Sequence, residues 1–111
     1  MKDISRDELL ALTRSDDVQV VDALPEAPYR RRHLPGALNL THEDAATRAA
    51  EILPDRAATI VTYSTDETCD RGPALAGRLV DLGYSDVRVY RGGIEDWIDA
   101  GLPVEKSTAP A

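Results

Sequence analysis

Residues 59–83 read TIVTYSTDETCDRGPALAGRLVDLG, and three kinds of local order follow one another in them. Thr59, Ile60, Val61, Thr62 and Tyr63 are β-branched or aromatic and predict a strand. The next ten residues, STDETCDRGP, are polar and end in glycine and proline, so they predict a loop. From Ala74 onward Leu75, Leu79 and Leu82 recur at helical spacing, and Gly83 offers a left-handed cap. Strand, long loop and helix in that order cannot be a hairpin; they belong to a crossover between parallel strands.

Upstream, Ser5 followed by Glu8 and then Leu9, Leu10 and Leu12 predicts a capping box opening a helix over about residues 6–14. Asp16-Asp17 is a polar break, and Val18, Val20 and Val21 with Gln19 predict a buried strand ending at Asp22. The segment ALPEAPYRRRHLPGALNL (23–40) carries three prolines and one glycine. It predicts mostly loop, with at most a helical turn around Tyr29 to Arg32 and a brief strand at Ala37–Leu40. Thr41 precedes Asp44 at capping spacing, and the alanine-rich run after it predicts a helix over about 43–53 that Pro54 ends. Downstream, Val87, Val89 and Tyr90 predict the last strand, and Gly92-Gly93 a turn. Ile94, Trp97 and Ile98 predict a short helix capped by Gly101, and residues 105–111 a frayed tail.

Strands alternating with helices over such connections predict an α/β domain, a parallel β-sheet flanked by helices on both faces. The 111 residues fit one domain spanning 1–111. In such sheets ligands bind beyond the carboxyl ends of the strands, which makes Tyr63 to Gly72 the candidate site.

Composition narrows the class of function. With 42% apolar and 30% charged residues the chain is neither collagen-like nor disordered. A net charge of −7 argues against a nucleic-acid partner, because phosphate neutralisation needs a basic face. Cys69 is the one cysteine, which excludes an internal disulfide and points to a cytoplasmic location. The N-terminus MKDISRDELL lacks a signal-peptide stretch, and no run approaches the roughly 18 apolar residues of a membrane span, so no membrane partner is expected. Two histidines and one cysteine do not make a structural zinc site, and no phosphate-binding or dinucleotide fingerprint is present; no metal and no cofactor are expected. His33 beside Pro35-Gly36 reads as a structural histidine bonded to backbone, Trp97 as core, and Arg30-Arg31-Arg32 as a solvated face ahead of an anion-attracting rim.

Three segments, in order, resemble the rhodanese-like family of small α/β sulfurtransferases: VVDALPEAPYRRRHLPGALNL, IVTYSTDETCDRGPALAGRLVDLGY and VRVYRGGIEDWIDAGLPV. The resemblance covers about residues 4–104. It implies that the residue directly after the aromatic end of the strand in the second of these segments, position 64, is where the family has a cysteine that accepts sulfane sulfur as a persulfide. Here that residue is Ser64. A hydroxyl forms no persulfide, and without a paired base it is a weak nucleophile. Ordinary turnover through residue 64 is therefore not expected, whether Ser64 is the natural residue or an engineered Cys→Ser change.

Thr65, Asp66, Glu67, Thr68, Asp70 and Arg71 are the candidate substrate-binding residues of the loop, and Cys69 is a possible second thiol. Its place before a helix would favour thiolate. Asp66, Glu67 and Asp70 would raise its pKa and repel anions, with only Arg71 opposing them. Arg71 comes later than the family's usual arginine, so the loop is either wider or relies on backbone donors. The family also often pairs the first strand's aspartate with an arginine two residues on; Asp22 is followed by Ala23 and Leu24, so that pair is absent.

The expected function is sulfurtransferase-type handling of sulfane sulfur, with a small sulfur-containing anion or a protein thiol or persulfide as partner. Two alternatives stay open: a non-catalytic binding or regulatory module on the same fold, and a sulfur carrier or redox protein based on Cys69. Oligomeric state is not readable from the sequence.

Overall fold

The computed structural model describes residues 1–15 and 17–107. In chain order its elements are β1 (Lys2–Asp3), α1 (Arg6–Arg14), β2 (Val18–Asp22), α2 (Glu26–Arg31), β3 (Leu38–Asn39), α3 (Ala45–Ile52), β4 (Thr59–Tyr63), α4 (Arg71–Asp81), β5 (Asp86–Tyr90) and α5 (Gly93–Asp99). The strands form one sheet in the order β1-β5-β4-β2-β3, and every pairing is parallel.

The alternation of side chains across the strands explains the two layers. Val21 and Ile60 join Leu75, Ala76 and Leu79 of α4 and Ala45 and Ala49 of α3 on one face. Val20, Val61 and Tyr63 join Leu9 of α1 and Ile94 and Trp97 of α5 on the other. Strands β2 and β4 thus send successive residues to opposite cores. Helix α1 begins as its spacing predicts, with Glu8 N–H donating to Ser5 Oγ (3.1 Å) and Ser5 N–H donating to Glu8 Oε1 (3.0 Å). Trp97 is core, and its ring N–H donates to the Pro103 carbonyl at 2.7 Å.

The strand order also locates the site. From β2 the chain moves outward to β3, whereas from β4 it moves the other way to β5. The order therefore reverses between β2 and β4, and their carboxyl ends flank the crevice where open α/β sheets bind ligands.

Five features depart from the expectation. Strand β1 is two exposed residues paired to β5, too short and too charged to give a pattern. The segment after β2 holds a six-residue helix, α2, and α4 starts at Arg71, three residues before Ala74. Both have one cause: Pro28 and Pro73 sit in the first turn of their helices, where a missing N–H has no intrahelical partner to lose. Helix α3 is shorter than 43–53, because Thr41 Oγ1 accepts the Asp44 N–H (3.3 Å) within a turn that precedes the helix. Finally, the start of the expected frayed tail is tied down: Glu105 exchanges backbone hydrogen bonds with His33 at 2.8 Å, and Ser107 N–H donates to Arg30 O at 3.0 Å. Residues 108–111 and Asp16 of the polar break lie outside the described residues.

Leu75 is fully buried between α4 and the sheet. Leu75→Ala is expected to destabilise the fold by about 2–5 kcal/mol, read as a lowered urea midpoint with an unchanged slope.

Candidate active site

The register sets Asp22 beside Tyr63, so two polar side chains end up side by side at the crevice. Both are fully buried. Tyr63 Oη donates to Asp22 Oδ2 (2.7 Å) and accepts the Leu34 N–H (3.0 Å), while Leu24 N–H donates to Asp22 Oδ1 (2.8 Å). Burial raises the Asp22 pKa to about 6; the bonds from Leu24 and Tyr63 and the nearby His33 only partly offset it. Burial also drives the Tyr63 hydroxyl far above its ordinary pKa, so it stays a donor. The absent arginine partner of Asp22 is thus replaced by a neutral phenol and an amide.

Beyond Tyr63 the loop is held from three sides. Within it, Cys69 N–H donates to Asp66 O (3.1 Å), and Asp66 Oδ1 accepts from Thr68 N–H (3.0 Å) and Thr68 Oγ1 (2.7 Å). From α5, Ile94 N–H donates to Ser64 O (2.9 Å) and Glu95 N–H to Thr65 O (3.0 Å). This approach requires Gly93, which has φ +67° and where a Cβ would lie 2.5 Å from Ser64 O. From α4, Gly72 N–H donates to Ser64 Oγ (3.1 Å), and Thr62 Oγ1 donates to Gly72 O (2.8 Å).

The first turn of α4 can be accounted for donor by donor. A helix start leaves N–H groups without intrahelical partners. Gly72 gives its N–H to Ser64 Oγ, Pro73 has none, and the Arg71 N–H is among the groups that lower the Cys69 pKa. Burial by itself would raise the Cys69 pKa. Hydrogen bonds from the Ser64 hydroxyl, the Thr65 and Arg71 N–H groups and the Thr65 hydroxyl outweigh it, and the thiol is held below its ordinary value. The expected carboxylate effect is therefore overturned. Asp66 is engaged with Thr68, and Glu67 and Asp70 are exposed, where solvent screens them.

The structure thus brings Ser64, Thr65, Cys69 and the Arg71 backbone together. It does not bring the Arg71 side chain, whose guanidinium pairs with Glu43 (Nη1–Oε1 2.8 Å), so the loop relies on backbone donors. Ser64 is buried beneath the loop, only 3% exposed, whereas Cys69 is partly exposed. His33 is structural, as its place suggests, but its Nδ1 bonds Tyr29 O (2.8 Å) in α2 rather than the Pro35-Gly36 turn.

Two hollows meet at Thr65. The larger, about 570 Å³, is lined by the carboxylates of Asp66, Glu67, Glu95, Asp96 and Asp99 with Thr65 and Thr68. The smaller, about 130 Å³, is lined by Leu24, Pro28, Arg31, Arg32, Thr65 and Ile94. The role of Gly93 and the approach of Arg31 to the loop were not read from the sequence; the Gly92-Gly93 pair was the signal for the first. Among the described residues, no group of three potential ligands could hold a metal ion, and no helix is long and apolar enough to cross a membrane.

The model of the rhodanese-like domain matches residues 5–100, which take in β2 to β5 and the whole loop. The chain belongs to the rhodanese-like family. It is 35% identical over 103 residues to the HTH-type transcriptional regulator Rv0324 of Mycobacterium tuberculosis, covering 93% of this chain but only 44% of that one; the chain spans less than half of that relative's length. It is 28% identical over 99 residues to the thiosulfate sulfurtransferase GlpE of Shewanella oneidensis, covering 89% of this chain and 94% of the relative. Among solved structures, the thiosulfate sulfurtransferase from Pseudomonas aeruginosa superposes with a TM-score of 0.84 at 26% identity, over 96% of this chain and 20% of that one. The BH2092 protein from Bacillus halodurans superposes at 0.86 and 22% identity, over 95% and 77% of the two chains, a likeness of fold. The rhodanese-like architecture, a parallel five-stranded sheet between helices, agrees with the α/β expectation.

Two predictions follow from how the loop is held. Gly93→Ala pushes a methyl group into the Ser64 and Thr65 carbonyls and is expected to cost about 3 kcal/mol or more, measured by urea unfolding. Asp22 binds its proton more tightly folded, with a pKa of about 6 against an ordinary 3.8, so its contribution is fully present below about pH 4 and lost as pH rises through about 6. At about 1.4 kcal/mol per pH unit, the loss is about 3 kcal/mol. Urea midpoints taken from pH 4 to 7 should fall less in Asp22→Asn than in the wild type. Asp86, whose pKa is lowered first by its bond from Arg88, acts in the opposite sense in both proteins and cancels in that comparison.

Proposed function

We propose that this rhodanese-like domain is of the sulfurtransferase type and that Cys69, not residue 64, carries the sulfane sulfur. The observation that carries this reading is that the Cys69 thiol is partly exposed just before α4, whereas Ser64 is buried with its hydroxyl donating to the Cys69 carbonyl (3.5 Å). Ser64 is suited to assist and not to react. Its oxygen accepts the Gly72 N–H and its hydroxyl donates to the Cys69 carbonyl (3.5 Å), so it is tied to residue 69 from below, and hydrogen bonding from it helps hold the Cys69 thiol below its ordinary pKa. The similarity to a thiosulfate sulfurtransferase along 89% of the chain supports the same class of chemistry.

The proposed cycle has two displacements. The Cys69 thiolate attacks the outer sulfur of thiosulfate, the sulfur–sulfur bond breaks, and sulfite leaves with the bonding electron pair. Cys69 is left as a persulfide anion. A small thiol or a protein thiol, as its thiolate, then attacks the outer sulfur of that persulfide, Cys69 departs as thiolate, and the acceptor leaves persulfidated. The donors around Cys69 stabilise the anion before and after each step. A reducing compartment such as the cytoplasm keeps the lone thiol free to begin the cycle.

Intact mass spectrometry after exposure to thiosulfate or polysulfide should show the gain of one sulfur atom, absent in Cys69→Ser. Ser64→Ala should still load but about tenfold more slowly, as expected for losing one hydrogen bond to a charged group. An unchanged wild-type mass under conditions that load a thiosulfate sulfurtransferase would overturn the reading and favour the non-catalytic binding module.

A further inference from the structure

Thr65 divides two hollows of opposite character. On one side lie five carboxylates, and an anion approaching there meets repulsion. On the other side Arg31 and Arg32 stand over a wall made by Leu24, Pro28 and Ile94. The arginine run does not act as one uniform solvated face. Arg30 turns back to Glu26 (2.7 Å) on its own helix, and Arg32 reaches Glu95 (2.8 Å). Arg31 makes no ion pair among the described residues, so a full positive charge remains at the pocket rim.

The pocket lies where the chain order of the sheet reverses. Leu24 follows β2, and Thr65 follows β4. Thr65 is also the link to the proposed chemistry, since it lines this pocket and its N–H and hydroxyl are among the groups that lower the Cys69 pKa. A molecule seated against the apolar wall with its charge on Arg31 therefore has its far end over Thr65, on the loop that carries Cys69.

We propose that this pocket binds the carboxylate end of a short organic thiol, and that this thiol is the acceptor which takes sulfur from Cys69. The proposal rests on the Cys69 reading and names its acceptor class. Volume and polarity agree with it. About 130 Å³ has room for about four waters at ~30 Å³ each, hence for a carboxylate and a short carbon stem while the sulfur stays outside over Thr65. A compact inorganic oxyanion would leave the apolar wall uncovered, and a neutral thiol would leave Arg31 unmatched. The guanidinium fork suits a carboxylate in particular. The transfer is the second displacement described above, with the bound thiolate as nucleophile and Cys69 as leaving group.

The test loads the full chain with sulfur and follows its loss by intact mass after adding 3-mercaptopropionate or its amide, at matched thiolate concentrations. The wild type should transfer to the carboxylate about tenfold faster than to the amide, the factor that one well-placed charged contact supplies. Arg31→Gln should reduce that ratio to near one, and Arg30→Gln, outside the pocket, should keep the wild-type ratio. Equal wild-type rates, or a ratio that survives Arg31→Gln, would overturn the proposal. A second arm does not depend on the reaction: in Cys69→Ser, butyrate but not butyramide should shift the Leu24 and Thr65 amide resonances, and Arg31→Gln should remove the shift. No butyrate response overturns the pocket assignment. A wild type that cannot be loaded while the butyrate response stands overturns the acceptor role and the Cys69 reading together, and leaves a carboxylate site.

Discussion

Two amide protons at the start of α5, on Ile94 and Glu95, hold the carbonyls of Ser64 and Thr65, and the approach is possible because residue 93 has no side chain. A trans peptide sends its C=O and the following N–H in opposite directions. Fixing the Ser64 carbonyl toward α5 therefore turns the Thr65 N–H away from α5, and that N–H is among the groups that lower the Cys69 pKa. The orientation of the reactive loop is thus set by an element that follows it by thirty residues in the chain and contributes no reacting atom.

Beneath that loop, the pairing of Asp22 with Tyr63 joins the ends of the two central strands. Its cost is visible in the raised Asp22 pKa, because a buried carboxylate with no cation beside it is tolerated only through its hydrogen bonds. What it provides is a rigid floor: Tyr63 is bonded at its hydroxyl to both Asp22 and Leu34, so the residue after it starts from a fixed point.

Much of this fold is legible in the amino acids themselves. The β-branched runs at 18–22 and 59–63 are strands because few other arrangements bury them on both faces, and Ser5 with Glu8 marks a helix start that the hydrogen bonds reproduce. Pro28 and Pro73 mislead, since a proline looks the same in sequence whether it ends a helix or sits in its first turn. At the site, position 64 and Cys69 are singled out by resemblance and spacing, but their ranking depends on depth. Only coordinates place the serine underneath and the thiol above it, or turn Arg71 away to Glu43. The charge around Cys69 misleads for the same reason: proximity in sequence counts Asp66, Glu67 and Asp70 equally, whereas the loop ties one to Thr68 and leaves the others in water.

A hydroxyl lying beneath the molecule's single thiol has a chemical consequence of its own. With two neighbouring sulfurs, a protein can discharge a loaded site onto itself by closing an internal bridge. This chain has no such exit. Under the proposed role, sulfur taken up by Cys69 is collected by a visiting molecule, so the pace of unloading follows the abundance of that visitor and not any clock inside the domain.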